Sequence, residues 1–165
     1  MPRIAICSDT HVPSRRAALP GFVREELQAA DHVIHAGDVD STEALASIQQ
    51  LAPELTVVAG NMDPPIDLPR VASVTLGGVT FVVTHGHQRS GTWHDGLAAA
   101  VREQVDDVDT AVGVAGHSHE VVDEVYDGVR LLNPGSATGA PPASRPTMYR
   151  ATAADGTLDV QLVEG

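Results

Sequence analysis

The sequence predicts a mixed α/β fold in which two β-sheets pack face to face and helices lie outside them. Two observations carry this prediction: strand and helix patterns alternate in the first half, and pairs of apolar runs flank tight turns in the second half. The length of 165 residues and a hydrophobic fraction of 42% suit one core. We therefore expect a single domain spanning 1–165.

The alternation in the first half predicts a parallel sheet, because parallel strands need crossover connections, which are usually helices. Short apolar runs predict strands buried on both faces, and apolar residues at helical spacing predict the helices between them. Ser41 is suited to cap the second helix. The strands are predicted at 4–7, 32–35 and 56–59, and the helices at 20–30 and 41–51.

Three turn dipeptides in the second half each separate two apolar runs, which is typical of β-hairpins. They are Gly77-Gly78, Asp127-Gly128 and Asp155-Gly156. The flanking strands are predicted at 71–76 with 79–83, 121–126 with 129–132, and 148–152 with 158–163. A further buried strand is predicted at 110–114 and a helix at 97–105.

The composition narrows the classes of partner. The formal net charge is −12, lysine is absent and aromatic residues make up 3% of the chain. Such a chain repels nucleic acids and anionic membranes, and it lacks the aromatic side chains of a base-stacking surface. The single cysteine, Cys7, forms no intrachain disulfide and is expected to be a small buried apolar side chain. No run approaches membrane-spanning length, so we expect a cytoplasmic protein without membrane contact.

Polar clusters follow directly on five of the predicted strands. In an open α/β sheet the carboxyl ends of the strands gather at one crevice, where ligands bind. Residues far apart in the chain could therefore meet at one place. The clusters are Asp9-Thr10-His11, Gly37-Asp38, Gly60-Asn61-Met62-Asp63, Thr84-His85-Gly86-His87 and Gly116-His117-Ser118-His119.

The residue types in these clusters are those of a metal site. Carboxylate, imidazole and amide oxygen together suit Mn²⁺, Fe²⁺, Co²⁺, Ni²⁺ or Zn²⁺ better than Ca²⁺ or a thiolate-bound zinc. Seven ligands exceed the need of one ion, and two ions sharing a bridging carboxylate would use them all. The candidate ligands are Asp9, His11, Asp38, Asn61, His85, His117 and His119.

The ordered set of clusters resembles the calcineurin-like metallophosphoesterase superfamily, and within it the small bacterial and archaeal phosphodiesterase branch. Asn133-Pro134-Gly135-Ser136, followed by Arg145-Pro146, is similar to the closing motif of that branch and is expected to shape a turn beside the site. The resemblance extends over nearly the whole chain. It implies a four-layer αββα sandwich and two divalent ions, with Mn²⁺ as the first choice among the ions named above.

Carried over by motif, the resemblance assigns each ligand to an ion. Asp9, His11, Asp38 and His119 would hold one ion, and Asp38, Asn61, His85 and His117 the other, with Asp38 as the bridge. Two divalent ions leave the site cationic, which attracts a phosphate and lowers the pKa of a bridging water. The resulting hydroxide would attack phosphorus in line with the leaving group.

Catalytic contributions are expected from Asn61, His87 and Asp63. His87 lies two residues beyond a ligand and would contact the substrate phosphate or line the cleft. Asp63 is expected to orient a ligand or the neighbouring loop rather than act directly. Many members of the superfamily carry at the position of Met62 a histidine thought to protonate the leaving oxygen. The branch that this chain resembles commonly lacks that histidine, which leaves the general acid unassigned.

Three functions remain open on the sequence. The first is a phosphodiesterase acting on a small phosphoester, and the second is a phosphomonoesterase or nucleotidase using the same site. The third is a non-catalytic scaffold, because the segment 9–13 with Leu19-Pro20 also resembles the retromer subunit built on this fold. A scaffold need not keep all seven ligands, and this chain has them all. By resemblance to small members of the branch, we also expect a homodimer.

Overall fold

The computed structural model describes residues 1–61, 63, 67–86 and 91–165. Within these residues there are three α-helices: α1 (Gly21–Ala29), α2 (Thr42–Leu51) and α3 (Trp93–Gln104). The same described residues form ten strands: β1 (Arg3–Cys7), β2 (His32–His35), β3 (Leu55–Val57), β4 (Val71–Leu76), β5 (Val79–Thr84), β6 (Ala111–Val114), β7 (Val121–Tyr126), β8 (Val129–Pro134), β9 (Thr147–Ala154) and β10 (Thr157–Glu164).

The first sheet has the strand order β10-β9-β1-β2-β3. β1 pairs in parallel with β2, and β2 with β3, as the alternating pattern of the first half predicts. The C-terminal hairpin then returns to this sheet, because β9 pairs antiparallel with β1 in a register that sets Ile4 opposite Ala151.

The second sheet has the order β4-β5-β6-β8-β7. Its central strands β5, β6 and β8 are parallel, and the hairpin partners β4 and β7 lie antiparallel at its two edges. All three predicted hairpins are therefore present. The carboxyl ends of β5 and β6 carry two of the polar clusters, which places both clusters at the same edge of the sheet.

The alternation of side chains along β1 divides the core into layers. Ile4 and Ile6 point between the two sheets and pack with Phe81 and Leu132 of the second sheet. Cys7 points to the opposite face, in the cluster that includes buried residues of α1 and α2. α3 covers the outer face of the second sheet. The predicted αββα sandwich is confirmed, and Cys7 is fully buried, with burial raising the pKa of its thiol to about 12.

α3 begins at Trp93 rather than at Leu97. Thr92 caps the helix, because its hydroxyl accepts a hydrogen bond from the backbone N–H of Asp95 at 3.1 Å. The first turn contains no fully buried apolar side chain, so the apolar pattern that predicted the helix starts one turn late. None of the helices in the described residues has the length and apolarity needed to cross a bilayer.

Candidate metal centre

Backbone hydrogen bonds hold the polar loops at the strand ends against one another. The N–H of Asp9 donates to the carbonyl of Gly37 at 3.0 Å, and the N–H of His11 donates to the carbonyl of Asp38 at 3.0 Å. The N–H of Gly116 donates to the carbonyl of His85 at 2.9 Å. The loops that follow β1 and β2, and those that follow β5 and β6, are therefore fixed pairwise.

The side chains of Asp9 and Asp38 lie at the centre of the cluster. Oδ1 of Asp9 is 3.4 Å from Nε2 of His119, 3.7 Å from that of His11 and 3.8 Å from that of His85. Oδ2 of Asp38 is 3.1 Å from Nε2 of His85 and 3.4 Å from that of His11. All five residues are buried. Five of the seven predicted ligands thus meet in one place.

These separations fit a metal better than a network of hydrogen bonds. Ligand atoms held about 2.1 Å from one ion at tetrahedral angles lie about 3.4 Å apart. Oδ1 of Asp9 and Nε2 of His85 are buried, and neither makes a hydrogen bond to any described residue. A buried polar atom without a hydrogen bond lowers the stability of the folded protein. Atoms in this state are therefore suited to bind a metal ion.

The outer nitrogen of each buried histidine is held by another protein group. Nδ1 of His85 lies 2.7 Å from the carbonyl of Ala36, and Nδ1 of His119 lies 2.8 Å from that of Ala140. Because a carbonyl only accepts, both Nδ1 atoms carry the proton and both Nε2 atoms have their lone pairs directed inward. Nδ1 of His11 lies 3.1 Å from a carboxylate oxygen of Asp40 and is fixed in the same way.

Two combinations of carboxylate and imidazole groups are close enough to hold an ion. One consists of Asp9, His11 and His119, and the other of Asp9, Asp38 and His85. Asp9 belongs to both groups and Asp38 to one of them, whereas the sequence singled out only Asp38 as a shared ligand. Oδ2 of Asp9 is already occupied, since it accepts hydrogen bonds from Ser8 Oγ at 2.7 Å and from the His117 N–H at 3.0 Å.

Asn61 and His117 lie on the more open side of the cluster. Oδ1 of Asn61 is 3.2 Å from Nδ1 of His117, and the imidazole of His117 packs edge-on against that of His85. Asn61 is exposed and His117 is half-buried, in contrast to the other candidate ligands. His87 and Met62 lie outside the described residues.

Asp63 connects two of the loops. Its carboxylate accepts hydrogen bonds from the backbone N–H groups of Gly60 at 2.7 Å, Asp40 at 2.8 Å and Asp38 at 3.1 Å. A carboxylate that accepts three backbone N–H bonds fixes the loops after β2 and β3 relative to each other. The structure thus places the Asp63 carboxylate between these two loops, and its orienting role stays a prediction.

Two residues outside the set of candidate ligands fix the loop of His117. Nε1 of Trp93 donates to the carbonyl of Gly116 at 2.9 Å, and Nδ2 of Asn133 donates to the same carbonyl at 3.1 Å. Asn133 also donates to Ser118 Oγ at 3.0 Å and accepts from the Gly135 N–H at 2.9 Å. The sequence leaves the role of Trp93 undecided, because a hydrogen bond to a carbonyl leaves no trace in sequence spacing.

The backbone at the site adopts a conformation that side chains usually avoid. Five of the seven candidate ligands have φ between 46° and 69°, in the left-handed region: Asp9, His11, Asp38, His117 and His119. Such residues are uncommon outside glycine, and they cluster at functional sites where the surrounding structure holds them in place. The turns direct successive side chains into the same small volume.

Two glycines permit the close approach of these loops. A Cβ on Gly60 would lie 2.1 Å from Oδ1 of Asp38, and one on Gly116 would lie 2.2 Å from Oδ2 of Asp9. Both distances are far below van der Waals contact. The glycines in the third and fifth clusters are therefore required by packing against the two central carboxylates.

The buried carboxylates and imidazoles of the cluster shift one another's pKa values. Burial by itself would raise the pKa of Asp9, but the imidazoles of His11 and His119 beside its carboxylate hold that pKa well below its usual range. Burial opposes the charged form of His85, yet Asp38 and Asp9 raise its pKa above the ordinary value. His35 is different: burial lowers its pKa to about 4, and its Nδ1 accepts from the Gly37 N–H at 3.0 Å, so it is a neutral packing residue.

An αββα sandwich with buried carboxylates and imidazoles at its strand ends defines a class of metal-binding phosphoesterases. The calcineurin-like phosphoesterase superfamily domain matches residues 2–156 of this chain. The chain therefore belongs to the calcineurin-like phosphoesterase superfamily.

Individual relatives agree with this membership. A probable metallophosphoesterase of Methanocaldococcus jannaschii is 35% identical over 136 residues, which cover 82% of this chain and 68% of that protein. The solution structure of a Thermotoga maritima protein matches with 29% identity, a TM-score of 0.77 and full coverage of both chains. Vps29 of Entamoeba histolytica, crystallised with Zn²⁺, matches with 27% identity and a TM-score of 0.70 over 98% of each chain.

Proposed function

We propose that this protein is a divalent-metal-dependent phosphoesterase that hydrolyses phosphodiesters of small alcohols or phenols. The observation that carries the proposal is the convergence of five buried carboxylate and imidazole groups, two of which present buried atoms without a hydrogen bond among the described residues. Two divalent ions held there would supply positive charge for the phosphate oxygens and lower the pKa of bound water, so that hydroxide is available near neutral pH.

The proposed ligand sets follow the sequence assignment. Asp9, His11 and His119 form one set, while Asn61, His85 and His117 form the other, and Asp38 is shared between them. The position of Asp38 Oδ2, within 3.4 Å of His11 and 3.1 Å of His85, supports the shared role. The membership of Asp9 in both close groups makes it the second candidate for that role. We propose Mn²⁺ as the first ion to test.

The exposed side of the site is where substrate would enter. His117 and Asn61 face this side, and the buried ligands lie behind them. We assign them the orientation of the phosphate, with His87 as a further contact predicted by sequence. Asp63 holds the loop of Asn61 in place and does not need to contact substrate.

A scaffold role is the second candidate, because the similar structures include Vps29 proteins. The argument against it as the sole function is energetic. A partner-binding surface gains nothing from five ligand residues with left-handed backbone, each of which costs on the order of 1 kcal/mol or more. The unpartnered buried atoms add to that cost.

The decisive experiment uses protein stripped of metal by a chelator. Aliquots are restored with Mn²⁺, Ni²⁺, Co²⁺, Zn²⁺ or Mg²⁺ and assayed against aryl phosphodiesters and the matching monoesters. We expect turnover only after restoration and a preference for diesters. A preference for monoesters would favour the phosphatase alternative, and inactivity with every ion would favour the scaffold.

A further inference from the structure

A cavity of about 680 Å³ opens beside the candidate metal centre. Asn61 and His85 form part of its wall, so it is continuous with the site where the phosphate would bind. The wall also includes Gly96 and Glu103 of α3, and Arg70, the residue that precedes β4. Seven residues of helix separate Gly96 from Glu103, so the cavity extends along about 10 Å of α3.

One face of α3 leaves this space open. Gly96, Ala99, Ala100 and Glu103 recur at helical spacing and therefore share a face. Three of these four side chains are small or absent, while the opposite face, with Leu97 and Val101, is buried against the second sheet. This face of α3 therefore forms a wall of small side chains with a single carboxylate. The wall is long enough to contact an aromatic or sugar ring.

Arg70 is the one positive side chain among the described residues that line this cavity. It is exposed, and it makes no hydrogen bond or ion pair with any residue in the described ranges. Most other described arginines are engaged: Arg3 and Arg150 bind Glu26, Arg130 binds Asp123, and Arg145 binds Glu164. A guanidinium with free donors is suited to a planar carboxylate or a phosphate.

We propose, resting on the function proposed above, that this cavity holds the alcohol portion of the substrate and that Arg70 selects alcohols carrying a second anionic group. With a net charge of −12, the protein as a whole repels a ligand that carries two negative charges. Binding of such a ligand therefore requires a positive side chain close to its second anionic group. Glu103 in the same wall works against the second anion and confines it to the neighbourhood of Arg70.

The test measures binding by titration calorimetry on metal-loaded protein. The probes are phenylphosphonate, meta-carboxyphenylphosphonate and benzene-meta-diphosphonate, whose shared phosphonate stands for the scissile phosphate. The variants are R70Q, E103Q and R24Q. Arg24 is the matched control, because it lines a separate cavity with Leu19 and Ile48 and also makes no ion pair within the described residues.

We expect R70Q to weaken the binding of the two doubly charged probes about tenfold, the effect of one charge-assisted pair, and to leave phenylphosphonate within about twofold. E103Q should tighten the doubly charged probes, and R24Q should match the wild type on all three. A loss confined to the carboxylate or to the diphosphonate probe identifies which anion Arg70 accepts. Circular dichroism of R70Q should match the wild type, since Arg70 is exposed.

Equal effects of R70Q on all probes, or no effect on any, would overturn the role of Arg70. That failure is distinct from failure of the proposed function. If the metal-loaded wild type neither binds phenylphosphonate nor hydrolyses aryl phosphodiesters, the phosphoesterase proposal itself is wrong. If it does both while R70Q fails to discriminate, only the assignment of the cavity is wrong.

Discussion

Asp38 is the residue whose replacement tests the candidate metal centre most directly. Its Oδ2 lies close to Nε2 of both His85 and His11. We expect Asp38→Asn to lower metal content and to reduce activity more than about 100-fold, since loss of a residue that only supports a ligand costs roughly 10- to 100-fold. Metal content after gel filtration and turnover of an aryl diester are the measurements.

Substitutions of two other aspartates serve as comparisons for Asp38→Asn. Asp40→Asn removes the carboxylate beside Nδ1 of His11 and should have an intermediate effect, within the range for a supporting residue. Asp67 is exposed, and Asp67→Asn should resemble the wild type. Retention of both ions by Asp38→Asn would contradict the shared role.

Asn133 is fully buried and makes three hydrogen bonds, two of them within the loop of His117. Asn133→Ala should lower the free energy of unfolding by about 2–4 kcal/mol, because it leaves buried partners unsatisfied. Urea unfolding of the metal-free protein measures this. Asn61→Ala, at an exposed position, is the control and should change stability by less than about 1 kcal/mol.

Met62 yields a prediction that rests on the sequence alone. A thioether donates no proton, so hydrolysis should slow steeply as the pKa of the leaving group rises. General acid catalysis is worth roughly 10²- to 10⁴-fold, and Met62→His should recover part of it for alkyl esters. The measurement is a series of diesters of graded leaving-group pKa. A flat series in the wild type would mean that another residue, with His87 the first to test, supplies the proton.

At the residue scale, the sequence predicted which side chains meet but not how they are held. Strand ends gather at one edge of a sheet, which is why Asp9, Asp38 and His85 could be grouped from their positions alone. The left-handed turns that direct these side chains have no sequence signature when the residue is Asp or His. The contact of Trp93 with the Gly116 carbonyl depends on where α3 packs, so spacing could not indicate it.

Among the elements, α2 has the most clearly assigned start. Ser41 Oγ accepts from the Ala44 N–H at 3.0 Å and also donates to the carbonyl of Val12 at 3.3 Å. Ser41→Ala should lower the free energy of unfolding by about 1 kcal/mol, since the capping bond is lost. Thermal unfolding followed by circular dichroism measures it.

Ser47 in the same helix provides the matched control. Its hydroxyl donates to the carbonyl of Glu43, a bond within the helix that competes with no cap. Ser47→Ala should be neutral or slightly stabilising, because alanine has the higher helix propensity. Equal losses from Ser41→Ala and Ser47→Ala would show that capping is not the cause.

Elements with local signals were predicted well. The turn dipeptides marked all three hairpins, and Ser41 marked the start of α2. The sequence could not predict which sheet the last hairpin joins. β9 pairs with β1, more than a hundred positions away, and its alternating pattern would fit either sheet. The start of α3 was missed because its first turn has no fully buried apolar side chain to extend the pattern.

For the whole molecule, Glu26 links three elements. From α1 it accepts hydrogen bonds from Arg3 of β1 at 3.0 Å and from Arg150 of β9. These bonds, foremost that from Arg150, hold the pKa of the carboxyl below its ordinary value of 4.5 although burial opposes them. A carboxyl with a lowered folded pKa stabilises the protein above the unfolded pKa, and this stabilisation disappears as the pH falls through the folded value.

Glu26→Gln should therefore lower the free energy of unfolding by about 1–2 kcal/mol at pH 7, a range that allows for the partial exposure of both arginines. The difference from the wild type should shrink as the pH falls below about 4. Urea unfolding across this range is the measurement. Glu25→Gln, at the exposed neighbouring position, is the control and should change the free energy of unfolding by less than about 0.5 kcal/mol.

The hydrogen bond between Trp93 and the Gly116 carbonyl makes the protein its own optical probe. The chain has one tryptophan, so all indole emission arises from a ring bonded to the residue before His117. A paramagnetic ion such as Mn²⁺ or Co²⁺ held by that histidine would quench this emission, whereas diamagnetic Zn²⁺ would not. Metal loading of the centre can thus be followed by tryptophan fluorescence without any substrate. Competition between a quenching and a non-quenching ion can be measured in the same sample.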